Sequence, residues 1–209
     1  MDNQELKFYE TLIIAISGIV GVIIGALITT IVSWKLKAKE VKLRVIEKVF
    51  DKRIIAHEDI LKITKLLRTT YQTYKADEQR NALTYPAFLH NRKSFDDLLE
   101  NVSIYINVNS HWLDIEIFRE LNYLQDYLCN LDAYLKSLDE TNYAELGLKI
   151  KKDIIDLANS LEKLTLKFFK EDIYLLNLKV SEGFHKYPKN ETLERLNKTE
   201  LLKIIDKIA

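Results

Sequence analysis

The residues able to do chemistry in this chain are few, and their spacing suits little of it. There are four histidines and one cysteine, at His57, His90, His111, His185 and Cys129. Zinc hydrolysis on a helix needs histidines at i and i+4 with a glutamate after the first, so that both imidazoles and the base share one face. His57-Glu58 is followed by Asp59-Ile60-Leu61, and the second ligand is missing. Glu182 and His185 have the Glu-x-x-His spacing of a di-iron bundle, but such a centre takes two of these pairs and two more carboxylates. Gly147 and Gly183 stand alone, so no glycine-rich phosphate loop is formed. Cys129 lies between Leu128 and Leu131 and reads as a buried thiol rather than a nucleophile. The expectation is a protein that is not an enzyme, with no catalytic residue, no metal and no cofactor.

Two further constellations invite a functional reading. All-helical ribonuclease domains of prokaryotic toxins pair an arginine with a histidine. Between Arg53 and His57 stand only Ile54, Ile55 and Ala56, one residue too few for that pattern. Asn109, His111 and Trp112 gather just ahead of Asp114, where a helix start offers N–H groups to an anion. The plainer reading of that turn, an aromatic plug over the end of a helical bundle, is preferred.

The element that positions everything else is Thr11–Trp34, which carries no charged residue. As a helix it rises about 36 Å, enough to cross a hydrocarbon core of about 30 Å with some tilt. The segment before it, residues 1–10, is acidic on balance, which argues against a cleaved signal peptide. After it come Lys35, Lys37, Lys39, Lys42 and Arg44, suited to anionic headgroups. Basic residues stay on the cytoplasmic side. The sequence thus predicts residues 1–10 outside, 11–34 in the membrane and 35–209 in the cytoplasm, as a single-pass protein of the inner (cytoplasmic) membrane. Ser17, Gly21, Gly25, Thr29 and Ser33 recur every fourth residue, with Gly18 beside them. Small residues so spaced let two helix backbones approach closely in lipid, which predicts a homo-oligomer.

Positive and negative side chains cancel to a formal net charge of +0, so no global field recruits nucleic acid. The lone cysteine excludes an internal disulfide. Beyond the anchor, apolar residues recur at helical spacing. Val45, Val49, Phe50, Ile60, Ile63, Leu67, Tyr71 and Tyr74 predict one long helix interrupted at Arg53 and His57 and broken in the polar stretch 76–86. A second helix is expected from Pro86 or Ser94, ending in a turn at 107–110. Asp114 should cap a third, whose seam runs Ile117, Leu121, Leu124, Leu128, Leu131, Leu135 and Leu138. A short connection at 139–142 leads to a fourth, through Ile150, Ile154, Leu157, Leu161, Leu164 and Phe168 and on toward Val180. Short helices are expected from Asn190 onward. The run 102–108 is the one stretch with strand character. The predicted fold is all-α: a transmembrane helix continuous with an antiparallel bundle of about four long helices.

Arg53-Ile-Ile-Ala-His-Glu-Asp-Ile-Leu61 and Asn109-Ser-His-Trp-Leu-Asp-Ile-Glu-Ile117 resemble stretches of uncharacterised bacterial single-pass membrane proteins with a cytosolic helical bundle. Some of those accompany phage-defence genes. The resemblance implies an anchored bundle and no catalytic residues. The function expected is a membrane-anchored interaction or scaffold protein, with the bilayer, a second copy and a cytosolic protein as partners. The alternative is a membrane-acting effector of the abortive-infection type.

Overall fold

A computed structural model describes residues 3–76, 82–173 and 186–205, and divides the chain into two compact units, Met1–Asp51 and Lys52–Ala209. The first helix, α1, has the bounds Asn3–Arg68 and contributes to both. In the first unit every residue from Phe8 to Val45 is exposed. This is the one helix among the described residues long and apolar enough to cross a membrane, and none of its most apolar window is buried within the chain.

In the second unit α1 stops where threonines replace the apolar seam. The Thr69 amide and hydroxyl both donate to the Lys65 carbonyl, at 3.0 and 2.8 Å. The chain then turns into an antiparallel hairpin, β1 (Thr70–Ala76) and β2 (Ala82–Pro86), with Tyr71 opposite Tyr85. This departs from the expected helix through Tyr71 and Tyr74. The stretch Thr69-Thr-Tyr-Gln-Thr-Tyr74 is rich in β-branched and aromatic residues, which a half-exposed strand accepts better than a helix does. The hairpin lies against α4 (Tyr143–Phe168), where Gly147 permits the approach. A Cβ there would stand 3.0 Å from Tyr85 Cβ and 3.3 Å from Pro86 Cδ. Lys151 adds a hydrogen bond of 2.6 Å to Thr84 Oγ1.

Helix α2 spans Arg92–Asn109. It starts neither at Pro86 nor at Ser94. Asn91 caps it, accepting from the Ser94 amide at 2.8 Å. The β-branched run 102–108 is helical, because Val102, Tyr105 and Ile106 fall on one buried face at helical spacing. The turn expected at 107–110 comes later, as a 3₁₀ turn over Ser110–Trp112.

Asp114 caps α3 (Ile115–Leu135), its carboxylate accepting from the Ile115 amide at 2.8 Å. All six seam residues from Ile117 to Leu135 are buried, and Leu138 comes in the turn beyond. Each such side chain contributes about 1.5–3 kcal/mol by leaving water. A 3₁₀ turn at Glu140–Asn142 leads into α4. Ile150, Ile154, Leu157, Leu161 and Phe168 join the same core, and a π-helical turn, Phe169–Ile173, extends it. The continuation expected toward Val180 lies outside the described residues. The C-terminal helices are α5 (Lys189–Asn197), directly after Pro188, and α6 (Glu200–Ile205). The described fold is all-α apart from the hairpin.

Candidate functional site

On the apolar part of α1, Ser17, Gly18, Gly21, Gly25, Thr29 and Ser33 are all exposed. A Cβ added at Gly18, Gly21 or Gly25 would meet nothing within 4 Å. Among the described residues no contact therefore requires glycine at those positions. The Ser17 hydroxyl donates to the Ile14 carbonyl at 2.9 Å and Thr29 to the Gly25 carbonyl at 2.8 Å. These hydroxyls are satisfied by their own helix. Lys35, Lys37, Lys39, Lys42 and Arg44 are exposed, and Arg44 pairs with Glu40 at 2.6 Å. An exposed i, i+4 pair of this kind stabilises by only a few tenths of a kcal/mol.

The turn singled out in the sequence is less convergent than its spacing suggests. His111 is exposed, while Asn109 and Trp112 are half-buried. Among the described residues no hydrogen bond joins the three to one another. The Glu182–His185 pair lies outside the described residues. Cys129 is exposed, which corrects the expected burial. Leu128 and Leu131 are seam residues of α3, but Cys129 is one step round the helix from Leu128 and leaves the seam. Partial desolvation, and then the carboxylates of Asp126 and Asp132, push its thiol pKa up and away from the reactive thiolate.

Two sites emerge that sequence spacing does not reveal. His57, which interrupts the apolar seam in sequence, is fully buried. Its ring stacks on Phe168 with centroids 3.4 Å apart, and Phe169 meets it edge-on at 6.2 Å. Nδ1 lies 2.6 Å from the Arg53 carbonyl. A carbonyl only accepts, so Nδ1 carries the proton and Nε2 presents a bare lone pair. That Nε2 is buried with no hydrogen-bond partner among the described residues. Burial, reinforced by the Arg53 charge and opposed by its carbonyl and by Asp114, lowers the His57 pKa to about 4. The imidazole is neutral.

The second site is an ionic clasp joining α3 to α5. Arg195 pairs with the buried Glu120 at 2.9 Å, and the Tyr187 hydroxyl donates to the other Glu120 oxygen at 2.6 Å. Tyr123 and Tyr187 flank the guanidinium, with ring centroids 4.0 and 4.5 Å from it. Desolvation, then Glu120, push the Tyr187 pKa up to about 12, so its hydroxyl stays a donor. Beside the clasp, Asp153 of α4 accepts from the Tyr127 hydroxyl at 3.2 Å and from the Leu201 amide at 3.1 Å. Nothing in sequence signals that residues as distant as Glu120 and Arg195 meet.

The chain matches no protein-family model, no curated protein and no solved structure. Only its own residues bear on its function.

Proposed function

We propose that this protein is a membrane-anchored, non-enzymatic interaction module that self-associates through its apolar helix. In this reading residues 11–34 span the bilayer with the N-terminus outside. Residues 35–209 lie in the cytoplasm, and the basic run rests at the anionic headgroups. The observation that carries the reading is the exposed small-residue face. Three glycines sit where no contact among the described residues needs them, and close backbone approach between membrane helices does need them. The soluble helices form an antiparallel bundle in the same reading. Supporting this, Tyr143 reaches back to the Leu135 carbonyl at 3.3 Å and Tyr127 to Asp153 at 3.2 Å, so α3 positions fall as α4 positions rise.

The test is the oligomeric state of the full chain in mild detergent, with variants on two faces of the helix. Gly21→Ile or Gly25→Ile should weaken the oligomer, while Ile16→Leu or Ile23→Leu should leave it intact. An unchanged oligomer in both glycine variants would overturn the packing face. Replacing residues 11–34 with an unrelated membrane helix that itself dimerises separates module from effector. A module keeps its cellular phenotype after that swap, and a membrane-acting effector loses it.

A further inference from the structure

Between α3, α4 and the α5–α6 turn lies a cavity of about 220 Å³, lined by Tyr123, Asp153, Asp156, Ser160, Arg195 and Lys198, with Leu157 and Thr199 completing its wall. Its charges are sorted by element. The α4 wall is anionic, with Asp153 and Asp156 one helical turn apart and Ser160 one further turn along the same face. The α5 wall is cationic, with Arg195 and Lys198 spaced likewise. No ion pair joins the two walls among the described residues, although opposite charges line one small cavity. Their partners lie elsewhere. Arg195 is engaged by Glu120, Lys198 by Glu194 at 2.6 Å, and Asp153 by Tyr127 and the Leu201 amide. Among the described residues, the Asp156 and Ser160 side chains make no hydrogen bond.

We infer that this cavity binds a small zwitterion, an α-amino acid, with its ammonium group on the Asp153–Asp156 wall and its carboxylate on the Arg195–Lys198 wall. The size argues for a small occupant, since pockets for drug-sized ligands run to about 300–1,000 Å³. The charge sorting argues for a ligand carrying both signs. A simple anion or a simple amine would leave one wall facing a like or unmatched group. Pre-organisation adds to this. Arg195 is clamped between two tyrosine rings and a buried carboxylate, and Asp153 is fixed by two donors, so little ordering remains at binding. Lys198 is the mobile member. Its pair with Glu194 is exposed and weak, and it is free to turn to a carboxylate. Leu157 supplies the apolar contact for a side chain. This inference concerns α3–α6 alone and does not depend on the membrane reading.

The experiment is calorimetric titration of the full chain in mild detergent with each of the proteinogenic L-amino acids, alongside acetate and putrescine as single-sign probes. At least one amino acid should bind and raise the melting temperature with concentration, as mass action requires. Asp156→Asn should weaken that binding about tenfold or more. Because Asp156 has no partner among the described residues, this isosteric change leaves the fold intact, and an unchanged melting temperature without ligand verifies it. Lys198→Met should weaken binding in the same direction. Absence of binding by every amino acid would overturn the inference. So would undiminished affinity in Asp156→Asn, or binding of acetate or putrescine as tight as that of the amino acid. None of these results bears on whether the chain oligomerises, so the two readings fail separately.

Discussion

The rings of His57 and Phe168 lie face to face, 3.4 Å between centroids and 13° between planes, and the stack fastens α1 to the last turn of α4. Only a neutral imidazole suits that place. A protonated ring would be a buried cation beside Arg53, whose guanidinium already lies 4.8 Å from the Phe168 ring.

Acid should therefore loosen the fold. His57 titrates at about 4 when folded, against an ordinary value of 6.5 for a histidine in water. Between those values the unfolded chain binds the extra proton, so the stabilisation is complete above pH 6.5 and is lost as pH falls toward 4. The difference amounts to roughly 3 kcal/mol. Urea unfolding of the purified chain at about pH 7.5 and about pH 4.5, read by near-ultraviolet circular dichroism, should show that loss. In His57→Phe most of the difference should vanish, since the substituted ring has no proton to gain.

Gly147→Val should destabilise the second unit by about 1–3 kcal/mol. A Cβ at this point meets Tyr85 Cβ at 3.0 Å, and a branched side chain must push β2 off α4. Gly147→Ala gives a finer reading. The gain in helix propensity, up to about 1 kcal/mol, opposes the crowding. A net loss in thermal unfolding would show that the hairpin cannot yield.

Breaking the clasp should cost more from one side than from the other. Arg195→Met strands the Glu120 carboxylate in a buried position where, among the described residues, Tyr187 alone still donates to it, at a cost of about 2 kcal/mol or more. Glu120→Gln keeps a hydrogen-bond acceptor for Tyr187 and removes the buried charge, and its cost should be smaller. The double variant should cost less than the sum of the two, a coupling measurable by chemical denaturation.

The exposed thiol makes a native reporter of topology. With residues 35–209 inside, Cys129 should resist a membrane-impermeant maleimide in intact cells and react after permeabilisation. Asn3→Cys should react in intact cells. Reaction of Cys129 alone before permeabilisation would reverse the proposed orientation.

How much of the fold is legible in the sequence depends on how local each cause is. The α3 seam and its Asp114 cap are set by spacing and one side chain, and both stand where the periodicity puts them. Tyr71 and Tyr74 mislead because their spacing of three continues the helical seam, while Gly147, the residue that receives β2, is far along the chain. The strand character of 102–108 yields to burial, since Val102, Tyr105 and Ile106 find a core only as a helix. His57 is visible as the residue three before Ile60 on the same face, but its polarity hides its place in the seam. Glu120 and Arg195 carry no local mark. Their meeting is a product of tertiary packing, and so is the cavity beside them.

The same long-range closure sets a timetable for the growing chain. Arg68 reaches Asn159 and Glu162 across sequence separations of 91 and 94 residues, and Phe168 arrives later still. His57 is likewise synthesised long before the Phe168 ring on which it stacks. At roughly 5–20 residues per second the wait is about 5–20 s. For that interval the end of α1 that carries His57 and Arg68 lacks its α4 partners. Nascent chains from which α1 has emerged and α4 has not should therefore be the species that holdase chaperones capture, and chains whose α4 has fully emerged should escape them.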